Sequence, residues 1–300
     1  MNATWEHSDS NSTHYFNEYE TAIFSVTLIT CCTGLPLNGI VIWLLGFQMK
    51  RNPFTVLILN LAISDFGFLI FAALYSLGDF IAVQPFQSWV MFYLFDLMYI
   101  NGLFLLTAIS VDRCVAVVFP MWYHYSRPKY LSPVVCALLW IFSFFLVGIG
   151  SNIKNLVFSY VPWDFDLVVT AVVCLPLSTI SSLILFIKIC LKSEQVKRGK
   201  LLVMILITLL CFLILTLPLY IYVFTTLFLG INHTSLSFLF FLYFNLCSCL
   251  NSSVNPVIYF LVGRKKQAKS TGSIKAIFQR VFKEDEVPET TKKFTKTVSS

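Results

Sequence analysis

Four polar side chains occur deep inside long apolar stretches of this sequence. Asp65 is the only acid among them, and Asn38, Asn251 and Asn255 occur in two other stretches. A charge at the centre of a bilayer costs about 2.5–3.5 kcal/mol on insertion scales, so each such residue needs a structural or functional reason. The four residues fit one buried polar network. The pattern leaves open whether that network ties helices together or serves as a switch or cation site.

Two further motifs mark the ends of apolar stretches. The third stretch ends in the acid–base pair Asp112-Arg113, followed by Cys114. The seventh ends in Asn255-Pro256-Val257-Ile258-Tyr259, where the proline frees a backbone carbonyl and bends a helix near its end. Trp140 in the fourth stretch and Pro218 in the sixth are additional landmarks.

Asp96 is an ionisable residue in the other half of the third stretch. It precedes Arg113 by 17 residues, which corresponds to about 25 Å along a helix that rises 1.5 Å per residue. Phe92, Phe95 and Tyr99 are its aromatic neighbours in the sequence. An acid there either pairs with an ammonium or guanidinium group of a ligand or makes a polar contact with a neighbouring helix. Both readings stay open.

Seven apolar stretches must position these residues, and each is long enough to cross a hydrocarbon core of about 30 Å as a helix. Basic residues concentrate in the first, third, fifth and last junctions, whereas the opposite side carries only Lys154. The positive-inside rule therefore places the N-terminus outside and the C-terminus in the cytosol. The predicted fold class is an all-α, multi-pass protein of the plasma membrane, a seven-transmembrane helix bundle with a short amphipathic helix after the last span. The stretches cover about 22–47, 54–78, 90–118, 131–150, 165–190, 200–229 and 235–262.

The composition supports a membrane protein and excludes a soluble domain. Hydrophobic residues make up 57% of the chain, and the mean hydropathy is +0.79, which is far above that of a soluble core. The net charge of +6 does not indicate nucleic-acid binding. The basic residues flank helices or lie in the tail, as expected for topology signals and contacts with anionic membrane lipid.

The chain divides into three predicted segments. Residues 1–21 form an extracellular N-terminal tail with glycosylation sequons at Asn2 and Asn11. Residues 22–262 form the seven-transmembrane domain, and residues 263–300 form a cytoplasmic amphipathic segment followed by a polar tail rich in serine and threonine.

Cysteine and histidine patterns predict no covalent or metal chemistry. All nine cysteines fall within or beside apolar stretches, so we expect free thiols rather than a disulfide framework. The four histidines are scattered without ligand spacing. We therefore expect no metal, no cofactor, no catalytic residues and no enzymatic activity.

The landmarks above occur one set per helix and in a fixed order, and over about 22–270 they resemble the rhodopsin-like (class A) G-protein-coupled receptors. Shorter stretches are similar to the Mas-related receptor family. These stretches include Trp43-Leu44-Leu45-Gly46-Phe47, Arg51-Asn52-Pro53-Phe54-Thr55-Val56, Leu105-Leu106-Thr107-Ala108-Ile109-Ser110-Val111, Pro120-Met121-Trp122-Tyr123 and Arg127-Pro128-Lys129-Tyr130.

The resemblance implies a role for the motifs near the cytosol. Arg113 would engage a heterotrimeric G protein when the sixth span swings outward, and Asp112 would restrain Arg113 at rest. Asn255, Pro256 and Tyr259 would rearrange during activation. Arrestin and receptor kinases would bind the tail.

The resemblance also implies a role for the buried network. Asp65, with Asn251 and Ser252, would line the sodium pocket of class A receptors. Gly102 stands where those receptors usually carry a serine, which makes sodium binding near Asp65 doubtful, and we assign no metal. Thr216 replaces the usual tryptophan of the sixth span, as it is replaced in Mas-related receptors.

The predicted outer face is acidic, with seven acids opposing one lysine, and such a field attracts cations. By resemblance, Asp166 aligns with an acid that contacts cationic ligands in some Mas-related receptors, whereas Gly150 replaces the second acid of that pair. We expect Asp96 and Asp166 to bind an extracellular cationic ligand. Aromatic faces for the ligand would come from Tyr99, Trp163, Tyr220 and Phe224.

The sequence thus predicts a receptor of the Mas-related type that binds a cationic peptide or amine outside and activates heterotrimeric G proteins inside. The first alternative is a constitutively active orphan receptor, because Arg198 occupies a place near the base of the sixth span where an acid often locks the arginine of the third. The second, a small membrane transporter, is weaker, because the spans contain few polar residues and no internal repeat.

Overall fold

The computed structural model describes residues 6–49, 52–81, 89–156, 165–191, 199–229 and 234–263. Within those ranges the chain forms seven α-helices and no β-strand. Each helix contains most of one predicted apolar stretch, which confirms the seven-helix bundle. The helices are α1 (Glu6–Trp43), α2 (Pro53–Ile81), α3 (Trp89–Val118), α4 (Leu131–Leu156), α5 (Phe165–Leu191), α6 (Gly199–Leu229) and α7 (Thr234–Gly263).

The main difference from the predicted boundaries is at α1. The helix begins at Glu6, inside the segment predicted as a tail, although its apolar span runs only over Glu18–Gln48. Adding residues to an existing helix is far easier than nucleating one, so the helix continues beyond its apolar part. Asn11 therefore lies on α1. Asn2 and the predicted amphipathic helix lie outside the described residues.

Membrane insertion explains why these stretches become helices. A helix satisfies its own backbone hydrogen bonds, as a segment surrounded by lipid must. Five described segments are long and apolar enough to cross a bilayer, and α6 contributes the shorter apolar segment Leu206–Ile221. The five are Glu18–Gln48, Pro53–Gly78, Val90–Val118, Leu131–Ser151 and Asp166–Lys188.

Local chemistry fixes the start of α2. The Thr55 amide donates to Asn52 Oδ1 at 2.7 Å, and the Asn52 amide donates to Thr55 Oγ1 at 2.8 Å. This reciprocal capping box, with Pro53 at the first helical position, satisfies backbone donors that the helix leaves unpaired. Phe54 follows directly and is buried at 2% exposure. The cap therefore sets the position of an aromatic ring at the end of the bundle where α2 begins.

α3 is the most enclosed of the five described spans. Its apolar segment is 72% buried, whereas that of α4 is only 28% buried and faces the surroundings along most of its length. α3 packs against α2, α4 and α5. One central helix therefore carries both Asp96 and Arg113.

Side-chain hydrogen bonds join α2, α3 and α4. Asn101 of α3 donates through Nδ2 to Ser64 Oγ of α2 at 2.5 Å, and it accepts through Oδ1 from Ser143 Oγ of α4 at 3.5 Å. Trp140 of α4 donates through Nε1 to Asn60 Oδ1 of α2 at 3.1 Å. These bonds connect the three helices through polar side chains inside the bundle.

Cys31 of α1 and Cys249 of α7 lie against each other with their sulfur atoms 3.8 Å apart, and both are fully buried. Eight of the nine cysteines, all except Cys190, have side chains that the structure describes, and these eight carry free thiols. The pair marks a close approach between the first and last helices.

Gly34 allows the same two helices to approach. A Cβ atom added at Gly34 would lie 2.8 Å from Leu69 Cδ1 and 2.9 Å from Ser253 Cβ. Ser253 Oγ donates to the Thr30 carbonyl at 3.3 Å across this contact. A side chain at position 34 therefore requires α7 to move away from α1.

We predict that Gly34→Ala lowers the melting temperature of the purified protein in detergent by several degrees. Overpacking a tight contact costs about 1–3 kcal/mol. Gly39→Ala is the matched control, because its Cβ would meet only Phe66 Cε2 at an ordinary 3.7 Å. Equal melting temperatures for the two variants would contradict the close contact at Gly34.

Candidate functional site

The predicted polar network joins α1, α2 and α7. Asn255 donates through Nδ2 to Asp65 Oδ2 at 2.9 Å, and Ser252 is a second partner of the carboxyl group. Asn38 donates through Nδ2 to the Ser252 carbonyl at 3.0 Å. Asp65, Asn38 and Asn255 are all at most 3% exposed, and Asn251 is buried on the same helix as Asn255. The structure therefore brings these predicted residues into one buried region.

Gly102 lies beside Asp65, where the sequence comparison with class A receptors placed it. A Cβ atom at Gly102 would lie 3.7 Å from Asp65 Oδ1 and 3.9 Å from Ser64 Cβ. Hard cations need several oxygen ligands, and glycine supplies no side-chain oxygen at this position. The residues around Asp65 do not fit a sodium site of the usual class A composition.

The C-terminal end of α3 contains an ionic cluster built around Asp112. Arg127 Nη2 lies 2.7 Å from Asp112 Oδ1, and Arg113 Nη2 lies 3.2 Å from Asp112 Oδ2. Tyr123 donates its hydroxyl to Asp112 Oδ2 at 3.0 Å. Asp112 is therefore shared by two arginines and a tyrosine, whereas the sequence had predicted only its pairing with Arg113.

Tyr123 and Arg127 belong to the short connection between α3 and α4. Residues Trp122–Ser126 form one π-helical turn, and the Tyr123 amide donates to the Phe119 carbonyl at 3.0 Å. Burial raises the pKa of Tyr123 to about 12, so its hydroxyl stays protonated at neutral pH and donates to Asp112. The turn brings a phenol and a guanidinium group against the end of α3.

Arg113 is buried at 3% exposure, although it is charged. Its Cζ lies 3.6 Å from the centre of the Phe54 ring, a cation–π contact with the capped start of α2. Its Nη2 also donates to Tyr123 Oη at 3.4 Å. Pro256 lies inside α7, and Tyr259 is buried at 4% exposure on the same helix.

Sequence reasoning missed Phe54, Tyr123 and Arg127 as members of this cluster. Arg127 had been counted only as a topology signal. The available clue was the shortness of the connection between the third and fourth apolar stretches, which keeps every residue of that connection near Asp112.

Asp166 occupies the first turn of α5 and is buried at 2% exposure against α4. A Cβ atom added at Gly150 would lie 3.4 Å from Asp166 Oδ1. The two positions that the Mas-related resemblance had paired are therefore neighbours in space. Because residue 150 is glycine, Asp166 is the only acid of that pair in this chain.

The other predicted ligand residues differ in how deeply they are buried. Asp96 is half-buried on α3. Tyr99 packs in the core, with ring centres 5.4 Å from Phe68 and 5.2 Å from Phe244. Tyr220 of α6 is half-buried near Tyr99, Phe224 is 54% exposed, and Trp163 lies outside the described residues.

An aromatic cleft between α2, α3 and α7 was not predicted. Its lining consists of Phe71, Tyr75, Met91, Phe92, Phe95 and Phe241. The Tyr75 ring centre lies 5.8 Å from that of Phe92 and 5.6 Å from that of Phe241. The sequence pointed to Phe92 and Phe95 as neighbours of Asp96, but no pattern connected them with α2 and α7.

Comparison with known proteins identifies the class of this bundle. Residues 37–259 match the family model described as 7 transmembrane receptor (rhodopsin family). The chain therefore belongs to the rhodopsin family of seven-transmembrane receptors, which are multi-pass proteins of the plasma membrane and a family of receptors rather than of enzymes.

Individual relatives define the group within that family. The chain is 39% identical over 279 residues to Mas-related G-protein coupled receptor member D of Macaca fascicularis, a match that covers 87% of this chain and 85% of that protein. It is 37% identical to member X1 of Homo sapiens, covering 87% and 84%, and 35% identical to the proto-oncogene Mas of Homo sapiens, covering 85% and 81%. Among the rhodopsin-family receptors, the chain belongs to the Mas-related group that its motifs predicted.

We predict that the unmodified protein melts at the same temperature in sodium chloride and in potassium chloride of equal ionic strength. A ligand that binds only the folded state would raise the melting temperature, and position 102 lacks the hydroxyl that a sodium site needs. Gly102→Ser should become more stable in sodium. Gly102→Ala is the control, because it adds the same Cβ without the oxygen. Sodium-specific stabilisation of the unmodified protein would contradict the argument.

Proposed function

We propose that this receptor binds a cationic peptide or amine at its extracellular face and activates heterotrimeric G proteins at its cytosolic face. The observation that carries the proposal is the burial of Arg113 at the inner end of α3, where one shared carboxylate neutralises it. In this proposal the N-terminus, with glycans on Asn2 and Asn11, lies outside. The tail after residue 263 lies in the cytosol and binds arrestin and receptor kinases.

We infer a cationic ligand because acidic residues dominate the predicted outer face. Asp166 is buried beside Gly150, and Asp96 is half-buried on the central helix. The sequence adds further acids to the predicted outer face, with Lys154 as the only basic residue opposing them. A negative field in a partly desolvated cleft selects cations by charge and raises their rate of association.

The aromatic cleft gives the ligand a second type of contact. Its five aromatic rings and one methionine suit an aromatic or aliphatic side chain, or an alkylammonium group bound over a ring face. The cleft includes Phe92 and Phe95, so it adjoins Asp96 along α3. Within this proposal, the cleft takes the apolar part of the ligand and Asp96 takes its charge.

G-protein coupling is supported by the position of Arg113. Buried guanidinium groups need a counter-charge, and Arg113 pairs with a carboxylate that it shares with Arg127. We infer that Arg113 leaves this cluster to engage the G protein, with Asn255, Pro256 and Tyr259 rearranging in α7.

A constitutively active receptor is the second candidate, and one observation favours it. Because Asp112 is divided between two arginines, its hold on Arg113 is weaker than in an exclusive pair. A transporter receives less support, because hydrogen bonds join Asn38 to Ser252 and Asn255 to Asp65 across neighbouring helices. Such bonds are expected of ties within a bundle rather than of a transport path.

We predict that Asp96→Asn and Asp166→Asn each shift the response to a cationic peptide agonist to higher concentration, by roughly tenfold or more at equal surface expression. Truncating one partner of a buried charge pair costs about 2–5 kcal/mol. Glu18→Gln removes one acid from the exposed surface of α1 and serves as the control. If both aspartate variants respond like the parent receptor, the cationic pocket is wrong.

We predict measurable nucleotide exchange without ligand, lost in Arg113→Ala while surface expression is retained. A gap of about 1–2 kcal/mol between two states keeps several per cent or more of the molecules active. Arg198→Glu, at a position outside the described residues, should lower basal exchange by giving Arg113 a second acid. The measurement is exchange on purified G protein in receptor-containing membranes.

Lys129→Ala is the control for both variants, because Lys129 is an exposed cation at the same end of the bundle. Undiminished exchange by Arg113→Ala would remove the coupling assignment. An unchanged basal rate in Arg198→Glu would remove the argument that an acid at position 198 restrains Arg113.

A further inference from the structure

We infer that Arg127 is a positioning residue that sets how readily Arg113 leaves Asp112. Arg127 acts through Asp112, and without it the resting state becomes harder to leave. The inference rests on the coupling role proposed for Arg113. Arg127 lies outside the Asp112-Arg113 motif that the sequence pointed to.

The two oxygens of Asp112 have different partners. Oδ1 binds Arg127 Nη2 at 2.7 Å, whereas Oδ2 binds Tyr123 Oη at 3.0 Å and Arg113 Nη2 at 3.2 Å. Charge-assisted hydrogen bonds of about 2.7–2.9 Å are the strong ones. Arg127 is therefore the closer ionic partner, and Arg113 shares the second oxygen with a phenol.

Arg127 is held in place by groups outside α3. Its Nη2 also donates to Ser132 Oγ at 2.6 Å, at the start of α4, and its Cζ lies 4.3 Å from the centre of the Tyr123 ring. The side chain is 6% exposed. Its position is thus set by the connection between α3 and α4, so a movement of Arg113 does not by itself displace it.

This arrangement changes the electrostatics of releasing Arg113. Asp112 is only 10% exposed, and removing the sole partner of a buried charge is strongly unfavourable. With Arg127 and Tyr123 in place, the carboxylate keeps a cation and a hydrogen-bond donor after Arg113 has left. Arg127 also repels Arg113, because the two guanidinium groups lie against the same carboxylate. Both effects favour the released state.

The first test is basal nucleotide exchange at equal surface expression. Arg127→Gln should lower it by roughly threefold or more, the scale of coupling between residues in contact. Arg127→Lys should keep the parent rate, since one nitrogen makes both the Asp112 and the Ser132 contacts and an ammonium group offers three donors. Lys129→Gln, at an exposed position of the same connection, should have no effect.

A double variant separates this role from a general contribution to folding. In an Asp112→Asn background, Arg127→Gln should cause no further loss of exchange, because the carboxylate through which Arg127 acts is gone. An equal loss in both backgrounds would overturn the inference, as would an unchanged or raised rate in Arg127→Gln alone.

A second readout needs no G protein. Thermal unfolding of the purified receptor in detergent should show that Asp112→Asn and Arg127→Gln are not additive, because each removes the same ion pair. Additive losses of thermal stability would overturn the inference that Arg127 and Asp112 act as a pair. If Arg113→Ala exchanges nucleotide like the parent, the proposed coupling function fails, and this unfolding cycle still decides whether Arg127 and Asp112 act together.

Discussion

A low-dielectric surrounding makes unpaired polar groups costly, and this constraint governs how α2 is oriented in the bundle. α2 directs polar side chains to three other helices, in the pairs Asp65–Asn255, Ser64–Asn101 and Asn60–Trp140. Interhelical hydrogen bonds in membranes contribute on average only about 0.6 kcal/mol each. Asn60 and Ser64 lie four residues apart on one face of α2, and Asp65 lies on an adjacent face. These bonds therefore matter more for the rotation of α2 than for its stability. That rotation, together with the cap at Asn52, determines where Phe54 meets Arg113.

The acids Asp65 and Asp112 have different kinds of partners. Asp65 binds the neutral amide of Asn255, a contact that is lost if α7 turns relative to α2. Asp112 binds two cations and a phenol, so it stays neutralised when one cation departs. The first arrangement reports the relative position of two helices, and the second permits an exchange of partners. The proposed function, in which a helix moves and Arg113 is released, would use both properties.

Hydropathy and charge bias were sufficient to predict the seven helices, because lipid imposes a length and a period that each apolar stretch must satisfy. The region around Asp65 was also predictable, since a buried acid must find polar partners in the same layer of the bundle. The cluster at Asp112 was predicted only in part, because a positive-inside count treats Arg127 as interchangeable with any other basic residue. The aromatic cleft was missed because Phe71, Phe92 and Phe241 come from three helices, and aromatic residues in apolar helices carry no signal of which ones meet.

The placement of the outer residues bears on the size of the proposed ligand. The aromatic cleft lies between α2, α3 and α7, whereas Asp166 lies against α4 at the start of α5. α3 packs against both α2 and α5, so it stands between the two places. Under the proposed function, a basic peptide would place a cation at Asp166 and an apolar side chain in the cleft, and its linked contacts would add through effective concentration. An amine too small to pass α3 would engage only one of the two places. In that proposal α3, which ends in Arg113, is the helix that a peptide ligand would contact from two sides.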